Sequence, residues 1–430
     1  MIRSMMTVNN QECSSERENS NVFFAIVLSL FPILSPYAFG TKDFSISISY
    51  TLMLIILIYF ALFMKKFPCD KSLILVLILY FVMTLISFLG TPSNDTDFFL
   101  AFRVFIAFLL NLITISNIWS HVESKVFYNV ALKVGVICAL FAISQFIFVS
   151  LGFTNFYNGR LPFILDNYSN FGSLIDPNTG MIRVHSFFEE PSYLAIYELP
   201  VTVYCIQKKK YYLATITGIS CLIAGTLLGI LGLIIILILL FILNESMELK
   251  RKKHLLFLIA IAILIFYCIL QKNTAVHTMF DYYLKRISNI NYQLERTNSS
   301  ASQRLIGNIY LFEKYSIFNR IIGTGLNQYH LYFNLPNDYS NDFVCTILNY
   351  GILGIIFLII YIFNLFIKIK KENTIYLIIF IMILFLDHIW FNAYFFYLLS
   401  WCMFGMNKKE IGTFKERAKK NYENWYFDIS

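Results

Sequence analysis

Residues 126–151 read VFYNVALKVGVICALFAISQFIFVSL, an apolar run whose only charge is Lys133. About 20 such residues, wound as a helix, cross a hydrocarbon core of about 30 Å. Runs of this kind recur along the chain. Set against the polar punctuation between them, they predict helices over 21–39, 44–64, 72–90, 98–118, 126–151, 191–206, 211–226, 227–243, 254–270, 342–367, 374–389 and 391–405. Two pairs are divided on local grounds. The run 211–243 is too long for one span, and GTLLG at 225–229 offers a tight turn. LDHIWFN divides the run 374–405. The expectation is an all-α polytopic membrane protein with about 12 transmembrane helices.

Composition agrees. Of 430 residues, 58% are hydrophobic and 14% charged, with a mean hydropathy of +0.64. A soluble chain of this length carries about a quarter charged residues. The eight cysteines form no CxxC pair, so neither a structural metal nor a disulfide framework is indicated.

The net charge of +8 is a topology signal, with no nucleic-acid partner implied. If both termini lie inside, 22 of the 34 basic residues fall in inner segments. These segments include KKFPCDK (65–71), KKK (208–210), LKRKK (249–253), KIKK (368–371) and a basic tail at 406–430. Residues 1–20 form the other inner tail, and membrane lipid is the partner of this charge. Between the tails, 21–405 make up the transmembrane domain.

Two outer loops, about 152–190 and 271–341, are much longer than ordinary connections, and loops of that length usually carry function. The second contains two pieces with helical spacing, 277–294 and 300–318, and then the glycine-broken stretch IIGTGLN (321–327), which reads as a turn.

The first long loop ends in RVHSFFEEPSYLA (183–195). Pro191 suits the first turn of a helix, which places Glu190 at its N-cap. A single carboxylate there is explained by the helix dipole. A pair, Glu189 and Glu190, preceded by Arg183 and His185, suggests more. A carboxylate beside Phe187, Phe188 and Tyr193 is partly desolvated, which suits a general base, and an arginine fork at the same mouth suits a phosphate. Within the bilayer, Arg103 and Glu198 lie about 8 and 10 Å below the outer ends of their helices, so an ion pair between them is expected. Asp387 and His388 face the same cavity on this reading. Arg304, Arg320 and His330 of the second loop are further phosphate-binding or acid–base candidates, with a plain surface histidine the simpler reading of His330. No metal-binding, nucleophile-elbow or phosphate-loop motif occurs.

RVHSFFEEPSYLA, the long loop, SQRL (302–305), IIGTGLNQY (321–329) and NDFVCTILNYGILGIIFLI (341–359) together resemble the O-antigen polymerases (Wzy-type). The O-antigen ligases are a more distant likeness. AGTLLGILGLIII (224–236) is similar to the same family. The resemblance spans the organisation of nearly the whole chain and implies a GT-C-like fold with two large periplasmic loops in the bacterial inner membrane. It implies metal-independent glycosyl transfer that joins oligosaccharide repeats carried on undecaprenyl diphosphate, without a cofactor. A polysaccharide chain-length regulator is an implied partner. By the same resemblance Arg183 and Arg304 serve the diphosphate, with Arg160 and Arg320 as secondary choices. His330 is the nearest equivalent of the ligases' loop histidine. The alternatives are a ligase passing glycan to lipid A-core, a lipid-linked oligosaccharide flippase and a non-catalytic scaffold.

Overall fold

The computed structural model describes residues 21–40, 45–63, 70–90, 97–153, 155–165, 171–175, 182–243, 308–335 and 340–406. The tail 1–20, the tail beyond 406, the expected span 254–270, the piece 277–294 and Arg304 lie outside the described residues.

The described chain is mostly helical. In chain order the helices are α1 (Asn21–Leu34), α2 (Ile48–Phe63), α3 (Lys71–Gly90), α4 (Phe98–His121), α5 (Ser124–Ser150), α6 (Pro191–Gln207), α7 (Tyr211–Ile223) and α8 (Leu227–Leu243). After the second long loop come α9 (Ile317–Ile322), α10 (Tyr329–Tyr332), α11 (Asp342–Lys368), α12 (Thr374–Leu386) and α13 (Ala393–Phe404). Four of them, α3, α4, α5 and α11, are long and apolar enough to cross a membrane. Several others are apolar but shorter, between 10 and 17 residues.

Both expected divisions occur. Helix α7 stops at Ile223, Gly225 takes φ +72°, and α8 begins at Leu227. Helix α12 stops at Leu386 and α13 starts at Ala393, where the Asn392 side chain caps the amides of Tyr394 and Phe395.

Two expectations need correcting. The chain is not purely α. The expected helix 21–39 ends at Leu34, because Pro36 pushes the residue before it out of the helical region. Residues Tyr37–Gly40 instead form the central strand of a three-stranded antiparallel sheet, with Ser45–Ser47 on one side and Ile164–Leu165 on the other. This sheet fastens the first long loop to the start of the chain. Second, 300–318 is not one helix where it is described. Ile309–Lys314 is a 3₁₀ turn, and Ser316 starts α9 afresh by accepting the Asn319 amide at 3.2 Å.

Helix α11 contains the feature that organises the second loop. Gly351 has φ +63° and ψ −161°, a break within an otherwise continuous helix. The break leaves carbonyls of the preceding turn without their usual helical donors. The IIGTGLN stretch supplies substitutes: Thr324 donates its amide to Leu348 O at 3.2 Å and Gly325 donates to Asn349 O at 2.8 Å. The Tyr315 hydroxyl donates to Leu348 O as well, at 3.0 Å. A side chain at Gly323, φ +83°, would run into the Asn349 carbonyl. The two glycines do make the expected turn, and the turn is a plug seated in a helix kink.

Contacts sort the helix ends onto two faces. At one, Ser87 of α3 donates to Gly323 O at 3.1 Å, and Gln328 exchanges hydrogen bonds of 2.8 and 2.9 Å with the backbone of Asp97, just ahead of α4. At the other, Trp119 donates to Ser400 Oγ at 2.8 Å and Gln207 to Glu372 O at 2.7 Å. Lys208, Lys209, Lys210, Lys370 and Lys371 belong to this second face. Residues 183–190 and 308–335 belong to the first.

Candidate active site

Glu190 is the N-cap of α6, with extended backbone and Pro191 behind it, as the sequence predicts. Its side chain makes no capping hydrogen bond. Its Oε2 accepts the Ser192 hydroxyl at 3.2 Å instead. Arg183, Glu189 and Glu190 are all half-buried. Rings close the sides of the mouth: Phe187 stacks on Phe141 at 4.5 Å, and Tyr193 on Tyr394 at 4.4 Å. The arrangement still satisfies the helix dipole. It also leaves a carboxylate beside the aromatic rings at the mouth.

The mouth is held from beneath. Ser186 sits at φ +56°, a conformation that needs outside support in a non-glycine residue. The buried Gln145 of α5 supplies it, accepting the Ser186 amide at 2.8 Å and donating to the Ser186 carbonyl at 3.4 Å. The Ser186 hydroxyl donates to Cys138 O at 2.8 Å. Gly159, φ +86°, passes so close to the Ser186 carbonyl that a β-carbon there would overlap it.

His185 is buried, one ring nitrogen 3.3 Å from Gly172 O, and Nδ1 has no partner among the described residues. Burial lowers its pKa, against the smaller opposing effect of the Phe188 and Gly172 backbone. The ring is therefore a neutral imidazole that donates to Gly172. Its place is behind the mouth, where it supports the loop; it is not aimed at a phosphate.

The remaining predicted residues divide. Arg160 and Arg320 are exposed; the Tyr157 hydroxyl donates to the Arg160 carbonyl, and the Arg320 guanidinium donates to the Glu313 carbonyl. His330 lies in α10, edge-on to Tyr329. The expected Arg103–Glu198 pair does not form. Arg103 is on the exposed face of α4, and Glu198 is wholly buried in α6 with neither carboxylate oxygen hydrogen-bonded. Equal depth along two helices does not put two residues on facing sides, and depth alone suggested the pair.

One cluster was only half visible in the sequence. His388 was expected near the outer cavity, but its partner was not. Asp342, the first residue of α11, is fully buried, and its carboxylate lies 2.7 Å from His388 Nδ1. The same carboxylate accepts the amides of Ile389 and Trp390, each at 2.9 Å. Asp342 in turn donates its own amide to Asp387 O at 3.2 Å. A pocket of about 90 Å³ opens beside this clasp, lined by Cys345, Thr346, Asn349, Tyr350, His388 and Trp390 among others. Local spacing gives no hint that Asp342 meets residues some 46 positions later.

The short segment between α12 and α13, together with the first turn of α13, joins the two clusters. His388 and Trp390 face the pocket, and Tyr394 packs against Phe188 and Tyr193 at the mouth of α6. A half-buried arginine with two carboxylates and an Asp–His pair beside a pocket thus share one end of the helix bundle. Such a set can bind an anionic group, accept a proton and hydrogen-bond hydroxyls. No protein-family model and no curated protein matches this chain.

Proposed function

We propose that this protein is a multi-pass glycosyltransferase of the bacterial inner membrane that polymerises undecaprenyl-diphosphate-linked oligosaccharide repeats at the periplasmic face. The reading takes the chain to have about 12 spans, a GT-C-like arrangement and both termini in the cytoplasm. The observation that carries it is the mouth of α6. There Arg183, Glu189 and Glu190 stand half-buried at the bundle end away from the lysines of 208–210 and 370–371, on a loop braced by Gln145.

The chemistry follows from charge. The acceptor sugar hydroxyl attacks the anomeric carbon of the donor, and the bond from that carbon to the diphosphate oxygen breaks. The diphosphate leaves with the bonding electron pair. Arg183 stabilises the growing negative charge through its planar fork, a role that the resemblance also gives to Arg304. Glu190 accepts the hydroxyl proton as the new glycosidic bond forms, a contribution of about 10²–10⁴ in rate. Glu189 orients Arg183. The growing chain is then one repeat longer and sits on the lipid carrier of the acceptor repeat.

The test is a gel of surface lipopolysaccharide from cells with the gene deleted. Loss of the ladder, with core carrying a single repeat retained, is the expected result. Loss of every repeat with long lipid-linked polymer accumulating would identify a ligase. Single repeats trapped on the inner leaflet would identify a flippase, and an unchanged ladder would overturn the proposal.

A further inference from the structure

Two of the aromatic residues that line the pocket beside Asp342 carry polar groups without a partner among the described residues. The Tyr350 hydroxyl and the Trp390 indole N–H are buried and have no hydrogen-bond partner among the described residues. Both residues line the pocket. Burying a polar group without a partner is costly, and native structures rarely tolerate it away from a ligand or functional role. Neither group is there by slack packing. Tyr350 stacks on Tyr80 at 3.9 Å, and Trp390 meets Phe395 edge-on at 4.6 Å. Each ring is fixed with its polar atom unpaired.

The other lining residues fit one chemistry. His388 is fixed by Asp342, which is itself pinned by two backbone amides. Asn349 is also fixed, its Oδ1 accepting the amides of Gln328 and Tyr329 at 3.2 and 3.3 Å. Thr346 adds a hydroxyl. No lysine or arginine lines the pocket, which argues against a phosphate. Rigid aromatic walls with a few polar groups among them suit a ring that carries several hydroxyls. A volume of about 90 Å³ admits the polar edge of one such ring.

We infer that the pocket between the first turns of α11 and the segment 387–392 is a carbohydrate subsite. It takes one sugar ring of the glycan through hydrogen bonds with Tyr350, Trp390 and His388. The choice of glycan rests on the function proposed above; the pocket's fitness for a sugar does not. The subsite is linked to the Arg183–Glu190 mouth through Trp390 and Tyr394, which lie four residues apart in the chain, the first lining the pocket and the second packing on Phe188 and Tyr193.

The probe is the lipid-linked single repeat extracted from cells lacking this gene. It is incubated with the purified full-length protein in nanodiscs, and both retention of the repeat and formation of polymer are measured. Tyr350→Phe removes only an oxygen that has no partner among the described residues, so its melting temperature should stay level or rise. Retention should fall about tenfold, the worth of one hydrogen bond, and Trp390→Phe should show a similar loss. A purely structural role would move the melting temperature and not retention. Polymer formed by the wild type with both variants retaining the repeat normally would overturn the subsite and leave the proposed function standing. No polymer, but weaker retention by Tyr350→Phe, would do the reverse. A wild type that retains no repeat would also overturn the subsite.

Discussion

His388 Nδ1 lies 2.7 Å from the carboxylate of Asp342, tying the loop after α12 to the first residue of α11. The same carboxylate takes two backbone amides of that loop. Asp342 is thus a buried carboxylate held by two buried backbone amides, with the half-buried His388 ring beside it. Removing one partner of such a buried set costs about 3–5 kcal/mol, because the rest are left unpaired. Asp342→Ala should therefore lower the melting temperature in detergent sharply, and Asp342→Asn, which keeps an acceptor oxygen, should lower it less. Equal, small shifts for both would mean that the loop is held by its aromatic contacts instead.

Glu198 gives the opposite prediction. Its carboxylate is buried with no hydrogen bond among the described residues, and Gly135 of the neighbouring helix makes room for it: a β-carbon at that glycine would stand 3.3 Å from Oε2. An unpaired buried carboxyl costs stability. Glu198→Met, similar in volume and apolar, should stabilise the fold by at least about 1 kcal/mol. Arg103→Ala, on the exposed face of α4, should leave the melting temperature unchanged or raise it. A matching loss of stability in both variants would restore the ion pair that their depths suggested.

Much of the helical layout was legible because apolar runs and their breakers act locally. The ends of α3, α6, α11 and α13 fall within two residues of their sequence-based bounds. Pro191 and Glu190 took their expected places for the same reason: capping is decided by a few adjacent residues. The sequence was silent where the cause is long-range. The strand at Tyr37–Gly40 exists because Ile164–Leu165 comes back to pair with it. The kink at Gly351 persists because residues 324 and 325 refill its carbonyls. Asp342 becomes a site residue only when the segment after α12 folds onto it. Helical depth, which is a local count, misled for Arg103 and Glu198, because which way a residue faces is a property of the bundle.

The burial of His185 sets a pH dependence. Its pKa is lowered in the folded chain, so the unfolded chain binds more protons wherever the two differ. Stability then rises with pH across that window. The contribution is fully present above the unfolded value of about 6.5 and is lost as the pH falls below it, at up to about 1.4 kcal/mol per pH unit for one proton. Thermal melts of wild type and His185→Gln between pH 8 and pH 5 isolate the effect. The wild type should lose more stability than the variant on acidification. Parallel curves would show that the ring is protonated in the folded state.

At the mouth of α6, charge and shape separate two roles for residues a few positions apart. Glu190→Gln keeps the size of the side chain and removes its capacity to take a proton. Polymer formation should fall by about 10²–10⁴ while the lipid-linked repeat is still retained. Arg183→Lys keeps the charge and removes the planar fork. Retention of the repeat should weaken, because an ammonium binds a diphosphate as a point charge and cannot reach two oxygens in one plane. In vitro extension of lipid-linked repeats by the two purified variants reads both effects. Glu190→Gln at wild-type rate would remove the proton acceptor from the proposal. A loss of turnover at unchanged retention in Arg183→Lys would confine that arginine to the departing diphosphate, with no part in holding the ground state.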